Sequence, residues 1–184
     1  MSANGLLIEA IARKDHEAFR KLYERYYRRI YLYALHLLDE EEAQDVVNEV
    51  MMEIWRGAKR FKGRSQVSTW ILGIAANKVR KKLRKGFRFA GEEGLEEVVN
   101  GDTPPDEVSY HSQLKEKFKG ALERLSPKHR EVLHLAYYED LSVREISEIV
   151  GCPLNTVKTR LFYARQRLRA ILEEMGIGEE ATWT

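Results

Sequence analysis

The run SVREISEIVGCPLNTVKTRLFYARQRLR, from Ser142 to Arg169, constrains this chain more than any other stretch, because a helix start, a short apolar face, a turn and a basic amphipathic helix follow one another in it. Ser142 and Glu145 form a capping box, in which hydroxyl and carboxylate each satisfy a backbone N–H near the other, so a helix begins at Val143. Val143, Ile146, Ile149 and Val150 supply its apolar face. Gly151 can take the left-handed conformation that ends it, and Pro153, with fixed φ and no N–H, suits the start of a second helix near Leu154. At about 100° per residue, Val157, Leu161, Ala164 and Leu168 share one stripe, with Asn155, Thr159, Phe162 and Gln166 opposite and Lys158, Arg165 and Arg169 alongside. A basic helix alone can be a solvated face. Preceded by a capped helix and a Gly-x-Pro turn, it reads as the second helix of a DNA-reading helix-turn-helix, with Asn155, Thr156 and Lys158 at the end that meets bases and phosphates.

The rest of the chain is helical in pattern too. Apolar spacings of three and four dominate and only four prolines interrupt them, which predicts an all-α protein. Leu6 to Ala12 makes a short apolar helix, and Asp15 caps a longer one carrying Phe19, Leu22, Tyr23, Tyr26, Ile30, Tyr33, Ala34 and Leu37. A helix from Asp39 has Val46, Val47, Val50, Met51, Ile54 and Trp55 inward, with Asp45, Asn48, Glu49 and Met52 outward. FKGRSQVS, Phe61 to Ser68, breaks the periodicity and reads as a loop. The helix after it, from about Thr69 to Lys85, buries Ile71, Leu72, Ala75, Val79 and Leu83 and turns Trp70, Asn77, Lys81 and Arg84 away, with Arg80 beside them. An aromatic with a basic and amide row suits a single-stranded nucleic acid; the plainer alternative is that Trp70 packs under the loop.

Charge is segregated rather than absent. The net charge is only +2, yet Lys78, Arg80, Lys81, Lys82, Arg84, Lys85 and Arg88 crowd one segment, and Glu92, Glu93, Glu96, Glu97, Asp102, Asp106 and Glu107 the next. Gly86 to Glu107, with Thr103-Pro104-Pro105, predicts a flexible acidic connector reaching roughly 60 Å when extended. The expected organisation is therefore two small helical domains, 1–88 and 109–177, a linker over 89–108 and a tail over 178–184. Leu114, Phe118, Ala121, Leu122 and Leu125 mark the first helix of the second domain, and Ser126-Pro127 caps the next. The single cysteine, Cys152, excludes an intrachain disulfide and a cysteine zinc cluster and fits a reducing, cytoplasmic compartment. Neither a signal peptide nor a membrane span is expected, and neither is a cofactor or metal.

Taken together, these residues resemble the bacterial RNA polymerase sigma factors of the extracytoplasmic-function class, over nearly the whole chain. Asp15 to Leu38 resembles the family's first segment, AQDVVNEVMMEIW its polymerase-binding segment, FKGRSQVSTWILGIAANKVRKKLR its promoter-melting segment, and the run from Leu125 to Arg169 its C-terminal domain. The resemblance implies that Asp45, Asn48, Glu49 and Met52 grip the β′ clamp coiled coil of core RNA polymerase; Asn48 stands where the family usually has glutamine. It implies that Phe61, Lys62, Arg64, Ser68, Trp70, Asn77, Arg80, Lys81 and Arg84 recognise and melt the minus 10 promoter element, capturing a flipped base. Asn155, Thr156, Lys158, Thr159 and Arg160 would read the minus 35 element, the acidic linker would thread into the polymerase, and an anti-sigma factor would hold the protein inactive.

Two other readings compete. A dimeric regulator could carry the same helix-turn-helix without joining polymerase, but its N-terminal part would need a ligand pocket or phosphoacceptor in place of a nucleic-acid-like face. A recombinase-like enzyme would need a nucleophile or metal-binding carboxylates. The histidines His16, His36, His111, His129 and His134 are scattered without ligand spacing, so no catalytic site is expected.

Overall fold

Residues 2–89 and 110–177 are described in a computed structural model of the chain. The expected tail, and all of the expected linker but its first residue, with the whole acidic run, lie outside them. Short polar side chains start most of the helices. Ser2 caps α1 (Ala3–Ala12), Asp15 caps α2 (His16–Leu35) and Asp39 caps α3 (Glu40–Gly57), each accepting from a backbone N–H in the first turn. A 3-10 turn (Ala58–Arg60) leads through the loop to α4 (Val67–Phe89). The C-terminal helices are α5 (Tyr110–Glu123), α6 (Pro127–Tyr137, capped by Ser126), α7 (Val143–Val150) and α8 (Leu154–Glu174).

Helix α1 starts at Ala3, where Ser2 caps it, and not at Leu6, and both ends of α4 differ from the sequence expectation. Helix α4 starts at Val67, because the glycine and polar residues that break the pattern end with Gln66, so Ser68 belongs to the helix and not the loop. It also runs on through Gly86 to Phe89, beyond the basic residues Lys81, Lys82, Arg84 and Lys85, whose charge suits the negative end of a helix. The capping box at Ser142 forms, and Gly151 closes α7 at φ +68°, a left-handed conformation that disfavours a Cβ.

Helices α1 to α4 enclose Ile8, Ile11, Leu22, Tyr26, Ile30, Val46, Val50, Ile54, Ile71, Leu72 and Val79, all buried. Helices α6 to α8 close a second group around Val132, Leu135, Ile146, Ile149, Val157, Leu161 and Ile171. The buried side of α4 is wider than its periodicity suggests, since Thr69, Ile74 and Ala76 are buried as well. Thr69, Ala76 and Arg80 form a stripe beside the expected one, and α4 packs there against α7.

The two halves therefore touch, through the packing of α4 on α7 within one continuous apolar cluster and through a set of polar contacts beside it. Tyr33 Oη donates to Glu131 Oε1 at 2.6 Å, out of solvent, and burial raises the Tyr33 pKa well above its usual value, which keeps it a neutral donor. Arg29 Nε pairs with Glu139. His36, the residue that ends α2, lies against His134 of α6, ring centroids 4.6 Å apart, and His134 stacks on Tyr138 at 5.1 Å. Nε2 of the nearly fully buried His134 is 3.7 Å from Glu139 Oε1, ion-pair range but too long for a hydrogen bond, and its Nδ1 has no partner.

This contact should weaken in acid. Burial lowers the pKa of His36, which also faces His134, Arg130 and Lys119; the hydrogen bond to the Leu32 carbonyl only partly opposes that. A histidine with a depressed folded pKa stabilises above its unfolded value of about 6.5, and that stability is lost as pH falls from there through the folded pKa. Burial pushes Glu139 up, but His134 and Arg29 outweigh it and hold the carboxyl below its usual range, so its contribution is lost lower, below about 4.3. Urea unfolding at pH 7.5 and 5.5 should show a lower midpoint at the lower pH, and His36→Gln should flatten that difference. An unchanged slope in the variant would exclude His36 as its source.

Candidate nucleic-acid interface

Three surfaces carry the residues singled out by sequence. The first is the start of α8. Pro153 precedes it in extended conformation with no side-chain cap, and the first helical bond there runs from Val157 N to Pro153 O at 3.1 Å. The N–H groups of Leu154, Asn155 and Thr156 thus open on solvent, as a phosphate contact needs. Asn155, Lys158 and Thr159 are exposed, while Thr156 and Arg160 are partly buried. The Thr159 hydroxyl donates back to Asn155 O at 2.9 Å, so it presents lone pairs rather than its proton. Two features escaped the sequence reading. Ser147 Oγ donates to Cys152 O at 2.6 Å and pins the turn between α7 and α8, and Tyr163 joins Phe162 as an exposed aromatic.

The second surface is the loop and α4. Gly63, at φ +66°, lets the loop turn, and Lys62 and Arg64 stand exposed on it. Trp70 differs from expectation: it is only partly exposed, packed on the core with its ring 5.1 Å from Phe61. A large apolar ring at the edge of a core gains more by covering that edge than by standing in water. Asn77, Lys81 and Arg84 are exposed on one side, as the projection predicts. Arg80 departs from them. It is partly buried and donates to Asn77 Oδ1 at 2.8 Å and to Val150 O at 3.0 Å, so the C-terminal half holds it.

The third surface is the outer face of α3, where Asp45, Asn48, Glu49 and Met52 are all exposed. Its carboxylates are not free. Lys82 Nζ lies 3.2 Å from Asp45 Oδ2 and 3.7 Å from Glu49 Oε1, and Lys78 Nζ lies 2.8 Å from Glu53 Oε2 and 3.9 Å from Glu49 Oε2. Exposed pairs of this kind contribute about 0 to 1 kcal/mol each, so they orient the acidic row more than they stabilise it. The signal was legible: 45, 49 and 53 recur every fourth residue, as do 78 and 82. Among the described residues no group of three His, Cys, Asp or Glu could hold a metal, and no helix is long and apolar enough to cross a membrane.

Comparison with known proteins adds two family matches in chain order, Sigma-70 region 2 over residues 22–88 and Sigma-70 region 4 over residues 121–170. The ECF RNA polymerase sigma factor SigW of Bacillus subtilis is 28% identical, over 91% of this chain and 96% of its own. The sigma factor RpoE, solved in complex with the anti-sigma factor NepR from Bartonella quintana, superposes with a TM-score of 0.68 at 26% identity, over 84% of this chain and 96% of that one. CnrH, solved in complex with the cytosolic domain of CnrY, shares the fold at a TM-score of 0.70 and 21% identity, over 94% of this chain and 99% of that one.

The exposed start of α8 separates two kinds of contact. An amide can pair with a base edge, whereas an ammonium mainly neutralises phosphate. On duplexes selected from a random pool, Asn155→Ala should relax preference at one position by about 1 to 3 kcal/mol of discrimination. Lys158→Ala should weaken binding to all sequences and reduce the salt slope by about one. Equal losses on selected and scrambled duplexes for both variants would remove base readout from Asn155.

Proposed function

The chain belongs to the extracytoplasmic-function sigma factors, which direct RNA polymerase to initiate transcription, and from that premise we propose which of its residues meet the polymerase and the promoter. Asp45, Asn48, Glu49 and Met52 dock on the β′ clamp coiled coil of the core enzyme. Lys78 and Lys82 hold the carboxylates of that row in place. Asn155, Thr156, Lys158, Thr159 and Arg160 read the minus 35 element in the major groove, helped by the open N–H groups of the first turn of α8. Lys62, Arg64, Asn77, Arg80, Lys81 and Arg84 track the opened minus 10 strand, and Phe61, Ser68 and Trp70 shape the edge where a flipped base is held. Residues 1–88 and 109–177 act as the two units, with 89–108 between them. The protein works in the cytoplasm, has no catalysis of its own, and is restrained by an anti-sigma factor, the kind of protein with which the RpoE relative was solved in complex.

The single observation that carries this reading is that one chain presents an uncapped, amide- and lysine-bearing helix start on α8 and an exposed Asn77-Lys81-Arg84 row on α4, beside an acidic face on α3. Reconstitution with core polymerase and sequencing of the transcripts tests it directly: starts should share two elements upstream, and Glu49→Gln should lower the affinity for core enzyme with helicity unchanged.

The arrangement of the two halves adds a requirement. Arg80 bonds to Val150 O and, through Asn77, ties two of the strand-contacting residues to the C-terminal half. Those contacts have to be given up before Arg80 meets phosphate. Replacing a second pair in the interface, Arg29→Ala with Glu139→Gln, should therefore raise the affinity of the free protein for a single-stranded minus 10 oligonucleotide about threefold to tenfold, the range of a coupling near 1 kcal/mol. If the variant expands in solution scattering but binds the oligonucleotide no better, Arg80 and Asn77 are not strand contacts.

A further inference from the structure

None of the surfaces above uses the cations gathered where the turn between α1 and α2 meets the end of α3. Lys14 Nζ donates to the Trp55 carbonyl at 2.7 Å and lies 4.7 Å from the centre of the Trp55 ring, so the turn is clasped to the helix end. The clasp brings Arg13, next to Lys14, to the part of α3 that carries Arg56, and α1 packs on the 3-10 turn that carries Lys59 and Arg60. The Arg60 guanidinium folds back against Gly57, close enough that a Cβ there would meet it. All five basic side chains are exposed. Of the carboxylates nearest in sequence, Asp15 caps α2, Glu17 is paired with Arg20 and Glu53 with Lys78, which leaves Glu9 against five cations.

Cations at the end of a helix can simply answer its dipole. A helix C-terminus carries roughly half an elementary charge, and Lys14 on the Trp55 carbonyl already answers it, so the other four cations are in excess. Among the described residues the side chains of Arg13, Arg56, Lys59 and Arg60 have no ion pair or hydrogen bond. Lys14 is also held at φ +68°, a left-handed conformation that glycine takes freely and that a Cβ makes costly, and backbone kept in such a conformation clusters at functional sites. Like charges gathered in this way repel one another, and a bound polyanion relieves the repulsion.

We propose that this cluster binds the phosphates of single-stranded DNA and continues the track of the opened strand past the loop. The site rests on the strand reading of the loop and α4, and adds contacts at the other end of that loop. Lys59 and Arg60 run directly into Phe61, Lys62 and Arg64, so the positive charge is continuous along the chain. An acidic protein segment would meet the same charge, but the ring of His16 favours nucleic acid: it is exposed, and it lies 4.7 Å from the Trp55 ring that Lys14 covers. Phosphate-binding charge beside an exposed ring is the combination that single strands use.

Because every member of the cluster is exposed while the halves are in contact, the free full chain should bind a labelled oligo(dT) of about twelve nucleotides, measured by fluorescence anisotropy. Arg56→Gln with Lys59→Gln should weaken that binding about tenfold and lower its salt slope by about 1.4, for two phosphates at about 0.7 each. Lys115→Gln with Lys117→Gln removes the same charge from α5 and should change the affinity less than about twofold. His16→Ala should cost oligo(dT) about fivefold or more and leave an abasic strand of the same length unaffected. Helicity and duplex binding through α8 report the integrity of each variant. Lys81→Gln with Arg84→Gln probes the α4 row by itself: a loss there with none in the Arg56 and Lys59 variant keeps the strand reading and overturns this site, whereas the reverse keeps this site and overturns the row. An equal loss in the Lys115 and Lys117 variant would also overturn the proposal, and a polyglutamate peptide of the same length that binds as tightly as oligo(dT) would assign the cluster to an acidic protein instead.

Discussion

Helix α4 is packed from two directions at once, and most of the architecture follows from that. Ile71, Leu72, Ala75 and Val79 face the N-terminal core, while Thr69 and Ala76 extend burial toward α7. A helix sealed on adjoining sides has little circumference left for water, and the remainder is where Asn77, Lys81 and Arg84 stand. Ala76 is buried on the side of α4 that carries Arg80, and the long side chain of Arg80 reaches the carbonyl that ends α7. Because that carbonyl lies at Val150, just before the left-handed Gly151, the same turn that aims α8 also holds the strand-facing arginine.

The character of the contact between halves argues for a junction that can open. Buried apolar interfaces resist separation in proportion to area, whereas buried ion pairs recover most of their desolvation cost when they return to water. Arg29 with Glu139 is of the second kind, and the Tyr33–Glu131 hydrogen bond and the contact of the His36 and His134 rings are polar contacts beside it. Each is satisfied where it lies, apart from the two ring nitrogens of His134, yet each involves groups that water also satisfies well. Such a seam gives a defined closed geometry at modest net stability, which suits a chain that must exchange internal contacts for external ones.

Local rules carried the sequence reading a long way. The caps at Asp15, Asp39, Ser126 and Ser142, the left-handed Gly151 and the core stripes of α2, α3 and α8 depend on neighbours within a turn or two, and those are visible in a linear chain. What was missed depends on contacts between distant segments. Periodicity assigns Arg80 to the polar row and cannot know that α7 arrives beside it, nor that Tyr33, 98 positions away from Glu131, shares a buried hydrogen bond with it. Trp70 fails for a related reason, since its side depends on where Phe61 folds back, and loops carry no period.

The two sides of α4 differ in how firmly they are held, and that decides which contact yields. On the helical projection Lys78 and Lys82 lie nearly opposite Arg80, over α3, where their pairs with Asp45, Glu49 and Glu53 sit above the apolar contact of Val46, Val50 and Ile54 with Ile71, Ala75 and Val79. Each ion pair there is weak, but the area beneath is fully buried, so α3 and α4 behave as one body. On the Arg80 side the contact with α7 has a strong polar share and involves a separate group of helices. A pull that parts the halves therefore breaks at Arg80 and leaves the Asp45–Lys82 ladder intact. An acidic row kept in place on α3 and a basic row uncovered on α4 would then change together, because the helix that carries the second is bolted to the helix that carries the first.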